Sequence, residues 1–275
     1  MYNKNRKEQV KELWEKGLTS GEIAKSLGIN VANVSTHLTK LYGKDRKRST
    51  YTYSRKYDLN IHYFDQIDTS NKAYFLGLFA SDGYIGKDNT TCSIALINSD
   101  REILEKFNID LNYNRPLILQ KKAVEPGWNR KDQCKITFYS KEFTGGLIKH
   151  GITNKKHITM KVSELIPDEF IGDFIRGFFD GDWCFSFNGI GGEFSFACNL
   201  EFSESLMSCF KRLGISSQYH LGSGGGCYYL RSCKLQSLTR LYNFMYQKEC
   251  IHLSRKKEKF EKWMQNRRDK NLRLE

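Results

Sequence analysis

Two nonapeptides lying 100 residues apart repeat one pattern: Phe75-Leu-Gly-Leu-Phe-Ala-Ser-Asp82-Gly83 and Ile175-Arg-Gly-Phe-Phe-Asp-Gly-Asp182-Trp183. Each is an apolar run of helical character that ends on an acid. Within each run a small residue recurs four positions on, Gly77 with Ser81 and Gly177 with Gly181, which puts both on one helix face. Two such faces can approach backbone to backbone, because neither presents bulk beyond a Cβ. A chain built this way is expected to pair its two halves through these helices.

Paired helices would bring Asp82 and Asp182 together at their carboxyl ends. That is an unfavourable place for a carboxylate. The helix terminus carries partial negative charge and costs an acid about 0.3–1 kcal/mol, and a second acid adds repulsion. A hard divalent cation reverses that sign, and such cations commonly share carboxylate ligands with substrate phosphates. The pair therefore points to metal-assisted phosphodiester chemistry.

Charge distribution supports a polyanionic partner. The 275-residue chain has a net charge of +13. Residues 1–56 hold 13 Lys/Arg against 5 Asp/Glu and residues 248–275 hold 10 against 5, so the two ends carry all of the excess. No apolar run approaches a membrane-spanning length, and Met1-Tyr-Asn-Lys-Asn-Arg-Lys lacks an apolar signal core. A cytoplasmic protein without membrane attachment is expected. The eight cysteines form no Cys-x-x-Cys pair, which argues against zinc and for reduced, mostly buried thiols. The histidines show no ligand spacing.

The amino end reads as three helices: Arg6 to Lys16, a second opened by the capping-box pattern Thr19-Ser-Gly-Glu22, and a third from Val31 to Tyr42. Val34, Leu38 and Leu41 are expected to face inward. Ala24, Gly28 and Val34 have the spacing of a helix-turn-helix, which leaves Asn33, Ser35, Thr36 and Thr39 outward, where short polar side chains reach base edges. A bundle serving only protein contacts is the alternative. Arg46, Lys47 and Arg48 lie in the following tether and are expected to follow phosphates or enter a minor groove.

After the first nonapeptide, strands are expected at Gly83–Lys87, Thr91–Ile97, Arg115–Lys122 and Gln133–Tyr139, with a helix over Asp100–Phe107. The second half repeats the order, with strands at Phe185–Phe187, Glu193–Asn199, Gln218–His220 and Tyr228–Arg231, and helices over Ser203–Leu213 and Leu235–Tyr246.

The two nonapeptides resemble the LAGLIDADG motif, and the chain around them is similar to a single-chain, two-repeat LAGLIDADG homing endonuclease. The likeness extends over Ala73–Ile85, over Gly151–Trp183 with its Gly-Ile-Thr-Asn-Lys-Lys and Ile166-Pro167 elements, and over Leu253-Ser-Arg-Lys-Lys-Glu-Lys-Phe260. It implies an α+β fold: duplicated α/β repeats forming one curved sheet saddle over DNA, preceded by a small all-α helix-turn-helix domain. The divisions expected are 1–42 for that domain, 43–63 for a basic linker, 64–170 and 171–265 for the repeats, and 266–275 for a basic tail.

The resemblance implies a site-specific double-strand endonuclease acting as a monomer. Asp82 and Asp182, with Ser81 and Gly181 beside them, would hold Mg2+ or Mn2+. Lys155 and Lys256 would polarise water or stabilise phosphorane charge, or equally contact phosphate as surface lysines. Lys135, Thr137, Tyr139 and Arg231, on the polar strand faces, would contact the duplex. Ser99 and Asn199 are candidates to support the site from strand ends. The family closes its motif with glycine, where the second copy has Trp183, which leaves the exit geometry of that helix open but not the acid itself. Two other readings remain open: a transcriptional regulator with an inactive core, and a maturase acting on intron RNA.

Overall fold

The computed structural model describes residues 2–43, 57–122, 131–221, 227–247 and 249–270. The chain forms two compact units, 1–56 and 57–275. Arg46, Lys47, Arg48 and the Pro126-Gly127 turn lie outside the described residues.

The first unit consists of α1 (Tyr2–Glu15), α2 (Ser20–Leu27) and α3 (Val31–Tyr42). The capping box forms: Glu22 N donates to Thr19 Oγ1 at 3.1 Å, and Thr19 N donates to Glu22 Oε2 at 2.8 Å. Gly28 then ends α2 in the left-handed region, with φ of 61°. Asn30 caps α3 by accepting from Ala32 N at 2.8 Å. Val10, Ile23, Ala24, Val34 and Leu38 make the core. Leu41 departs from expectation. It lies in the last turn of α3, just before the closing Gly43, and is 41% exposed rather than turned inward.

The second unit opens on Tyr57, inside the stretch expected as linker. Tyr63 is buried there with its ring edge-on to Phe64, and both belong to the main core. There follow α4 (Ser70–Asp82), β1 (Gly83–Ile85), β2 (Thr91–Ile97), α5 (Arg101–Asp110), β3 (Ile118–Gln120), β4 (Gln133–Tyr139), α6 (Lys141–Lys149) and α7 (Lys156–Thr159). The second repeat comprises α8 (Ile171–Asp182), β5 (Cys184–Asn188), β6 (Gly191–Cys198), α9 (Leu200–Arg212), β7 (Gln218–Leu221), β8 (Tyr228–Ser232), α10 (Leu235–Met245) and α11 (Ser254–Asp269). Helix α11 continues through Asp269, four residues into the stretch expected as a tail.

The strands form two four-stranded antiparallel sheets of identical topology, β1-β2-β4-β3 and β5-β6-β8-β7. Each repeat thus contributes one sheet of its own. The first strand of each follows directly on its helix and sits at the edge, hydrogen-bonded only to its own hairpin partner. The helices therefore join the halves, and the sheets do not.

Helices α4 and α8 pack backbone to backbone. A Cβ on Gly77 would stand 2.0 Å from the Phe174 carbonyl oxygen, and one on Gly177 would stand 1.9 Å from that of Tyr74. Only hydrogen fits at either position. Aromatic rings fill the space between helices and sheets: Phe75 stacks on Phe107 at 4.1 Å in the first repeat, and Phe185 on Phe260 at 3.7 Å in the second. Among the described residues no helix is long and apolar enough to cross a membrane.

Candidate active site

The close crossing delivers both motif acids to one place. Ser81 ends up so near the partner helix that a Cβ on Gly181 would meet its Oγ at 1.9 Å and Asp82 Oδ2 at 2.7 Å. Asp82 lies immediately beside α8, and Asp182 at the exposed end of that helix. Burial, then the negative charge of Asp182, push the Asp82 carboxyl up to about 6.

The exits of the two helices are alike despite their different residues. Gly83 has φ −70° and ψ 149°, and Trp183 has φ −85° and ψ 150°. Both are extended, so neither exit uses the left-handed region and Trp183 leaves its helix as Gly83 does; space rather than conformation keeps position 83 as glycine, since a Cβ there would stand 2.4 Å from the Phe79 carbonyl oxygen. Trp183 instead fills the second core. Its indole is 3% exposed and stacks on Phe196 at 4.2 Å and on Phe194 at 5.4 Å.

Two lysines reach into the site, and one differs from expectation. Lys155 is exposed. Lys156 carries the inward side chain: its Nζ donates to the carbonyls of Phe79 (3.0 Å), Ala80 (2.8 Å) and Ser81 at the end of α4. Lys256, as expected, is inward, donating to the carbonyls of Phe179 (2.5 Å), Gly181 (3.0 Å) and Trp183 (3.0 Å) at the end of α8. The physical reason is the helix terminus, where unpaired carbonyls attract a cation. Burial lowers both ammonium groups to about 8, against the opposing pull of the acids. Equal spacing was the available signal, since each of these lysines follows its motif acid by 74 residues.

The donor set suits a hard cation. Two carboxylates converge, one of them raised by burial and then by its neighbour's charge, the latter being the repulsion a cation would relieve. Among the described residues no group of three or more His, Cys, Asp or Glu gathers, so a cation here would have Asp82 and Asp182 as its carboxylate ligands and would need water or other oxygens besides. The backbone carbonyls of Ser81 and Gly181 each already accept from a lysine.

Of the residues expected at the duplex, Tyr139 is 62% exposed. Its ring carries the Arg115 guanidinium at 5.1 Å. Lys135 is half-buried on the same face. Thr137 is only 8% exposed, which removes it as a ready contact; its carbonyl accepts from Tyr113 Oη at 3.1 Å beneath that arginine. Arg231 is paired with Glu193 at 3.7 Å. In the first unit Asn33 and Thr36 are exposed and Ser35 and Thr39 half-buried, while the Thr36 and Thr39 hydroxyls donate back to the carbonyls of Ala32 and Ser35, each at 2.9 Å. Asn199 supports the site by donating to the Lys156 carbonyl at 3.3 Å, and Ser99 lies against Asp100 at 3.4 Å.

A duplicated helix pair with an acid at each end, flanked by two like sheets, is the LAGLIDADG architecture. Residues 70–112 match the model of a LAGLIDADG-like domain, and residues 3–44 that of the bacterial regulatory protein, arsR family. The chain therefore carries a LAGLIDADG-like domain match in its first repeat and a helix-turn-helix match over its amino-terminal helices. Its fold is similar to the homing endonuclease I-WcaI bound to its DNA recognition sequence, at 14% identity and a TM-score of 0.52 over 72% of this chain and 90% of that one. The I-LtrWI LAGLIDADG homing endonuclease bound to target DNA aligns at 13% identity and a TM-score of 0.49, over 77% and 92%. I-SmaMI bound to an uncleaved DNA target in the presence of calcium ions aligns at 13% and 0.48, over 72% and 92%. No curated protein sequence matches the chain.

The raised acid makes a stability prediction. A carboxyl higher folded than its unfolded value of 3.8 favours the protonated native state, so stability is lost as pH rises from about 4 through about 6. Near pH 7 the ionised group costs on the order of 3 kcal/mol. Asp82→Asn is expected to raise the metal-free melting temperature at pH 7.5 and leave it unchanged at pH 4. Thermal melts across that range check it.

Proposed function

We propose that the protein is a site-specific double-strand DNA endonuclease that hydrolyses phosphodiesters with a divalent cation, Mg2+ or Mn2+, each half acting on one strand. The observation that supports it most is the meeting of Asp82 and Asp182 at the α4–α8 seam, with Lys156 and Lys256 against the same helix ends. A protein that only binds DNA gains nothing from an acid pair that costs stability.

In this reading Asp82 and Asp182 would hold the cation. The bound cation supplies Lewis-acid polarisation and a more acidic water. Lys156 and Lys256, lowered to about 8, stand ready to stabilise charge on the phosphoryl oxygens or to take a proton from attacking water. The exposed strand faces, with Lys135, Tyr139 and Arg231, supply phosphate and base contacts. The helix-turn-helix adds a second, tethered contact that strengthens the first through effective concentration.

The match of residues 3–44 to a regulatory family favours one rival, a DNA-binding regulator with an inactive core. Selecting a target from a randomised duplex library and incubating the plasmid-borne site with protein and Mg2+ separates them. Linearisation that EDTA abolishes is expected. Tight binding with no metal-dependent nick would hand the case to the regulator.

A further inference from the structure

Helix α11 starts badly on its own terms. Its N-cap is Leu253, which has no side chain to accept from the first turn, and no acid lies in that turn. An uncapped start leaves N–H groups unpaired and frays. Yet this turn carries Lys256, whose ammonium lies against the α8 carbonyls.

Two carboxylates from elsewhere in the chain anchor this start instead, one through the backbone and one through a side chain. Asp180, buried in α8, accepts from Leu253 N at 2.8 Å and also from Tyr74 Oη at 2.8 Å. Asp100 comes from the other repeat. It ends the turn after β2, is 7% exposed, and takes Arg255 in a two-toothed grip: Nε at 3.1 and 3.0 Å from its two oxygens and Nη2 at 2.7 Å.

Arg255 and Lys256 are consecutive, so their side chains leave the helix about 100° apart. Pinning one sets the direction of the other. The first repeat lacks the device. One hundred residues earlier, Lys155 takes the place of Arg255 and is exposed, while Leu200, one hundred residues after Asp100, takes the place of the acid.

We propose that Asp100 of the first repeat is a positioning residue for Lys256 of the second, acting through Arg255. The inference deepens the nuclease reading and rests on it for its kinetic consequence. One half of the site is thereby set by a residue of the other half, and only one strand's hydrolysis depends on it. Asp100 is buried, so its loss removes no DNA contact.

The test uses the full-length chain and its selected target duplex, with each strand carrying a different 5′ fluorophore. Asp100→Asn is expected to slow one strand by about tenfold and the other by less than about twofold. The slowed strand is the one lost with Lys256→Met, not the one lost with Lys156→Met. Equal slowing of both strands overturns the proposal. Arg255→Lys, which keeps the charge and one hydrogen bond, gives the same bias in milder form if Asp100→Asn does not fold.

A second readout needs no nuclease. Reductive methylation followed by mass spectrometry is expected to label Lys256 at least about threefold faster in Asp100→Asn, with Lys156 unchanged. Unchanged Lys256 labelling overturns the proposal. Failure of the parent to cut DNA overturns the nuclease reading and leaves the labelling result to decide this one.

Discussion

Asp82→Asn is expected to lower the rate of target cleavage by roughly 10^3-fold or more while target affinity stays within a few-fold of the parent. The amide keeps the shape of the side chain and removes the charge that holds a cation. Asp182→Asn is expected to do the same, since the two acids share one seam. Gel-shift titration in calcium and a Mg2+ cleavage time course on one DNA separate binding from chemistry. A variant that still cuts at a tenth of the parent rate would exclude the acid pair as the cation site. The same substitution is expected to stabilise the metal-free fold at neutral pH. Loss of activity with a gain in melting temperature is hard to explain by unfolding.

Gly177→Ala is expected to be severely damaging for a single added methyl. Its Cβ would stand 1.9 Å from the Tyr74 carbonyl oxygen and 3.0 Å from Leu78 N. Both neighbours are backbone, so no rotamer change relieves the clash and the helices must separate. A loss of about 3 kcal/mol follows, at the upper end for overpacking, which for a unit of this size is a melting temperature lower by roughly 6–12 °C. Gly77→Ala meets the Phe174 carbonyl at 2.0 Å and is expected to match it. Gly145→Ala is the contrast. It lies in α6 with nothing within 4 Å of the added carbon, and is expected to be neutral or to stabilise by up to about 1 kcal/mol. Differential scanning calorimetry of the three variants reads all of this at once.

What could be read from the sequence followed what is periodic. The small residues four apart in each motif carried enough to pair α4 with α8, and the alternation of Ile136 and Phe138 with Lys135, Thr137 and Tyr139 located β4 at Gln133–Tyr139, its observed bounds. What could not be read depended on direction in space. Lys155 and Lys156 are neighbours of one type, and only the phase of the chain entering α7 decides which points at the α4 carbonyls. Thr137 is outward by register yet covered, because Arg115 and Tyr113 come over it from outside the strand pattern. Asp100 and Arg255 stand 155 residues apart, and no local rule joins them.

The indole at the end of α8 also gives the molecule its own optical reporter. Trp183 is the immediate neighbour of Asp182, its carbonyl receives the Lys256 ammonium, and its ring is clamped between the helix and two phenylalanines. With the remaining tryptophans, Trp14, Trp128 and Trp263, replaced by phenylalanine, its emission would follow events in the second half of the seam without any attached dye. The first half, with glycine at that place, stays dark.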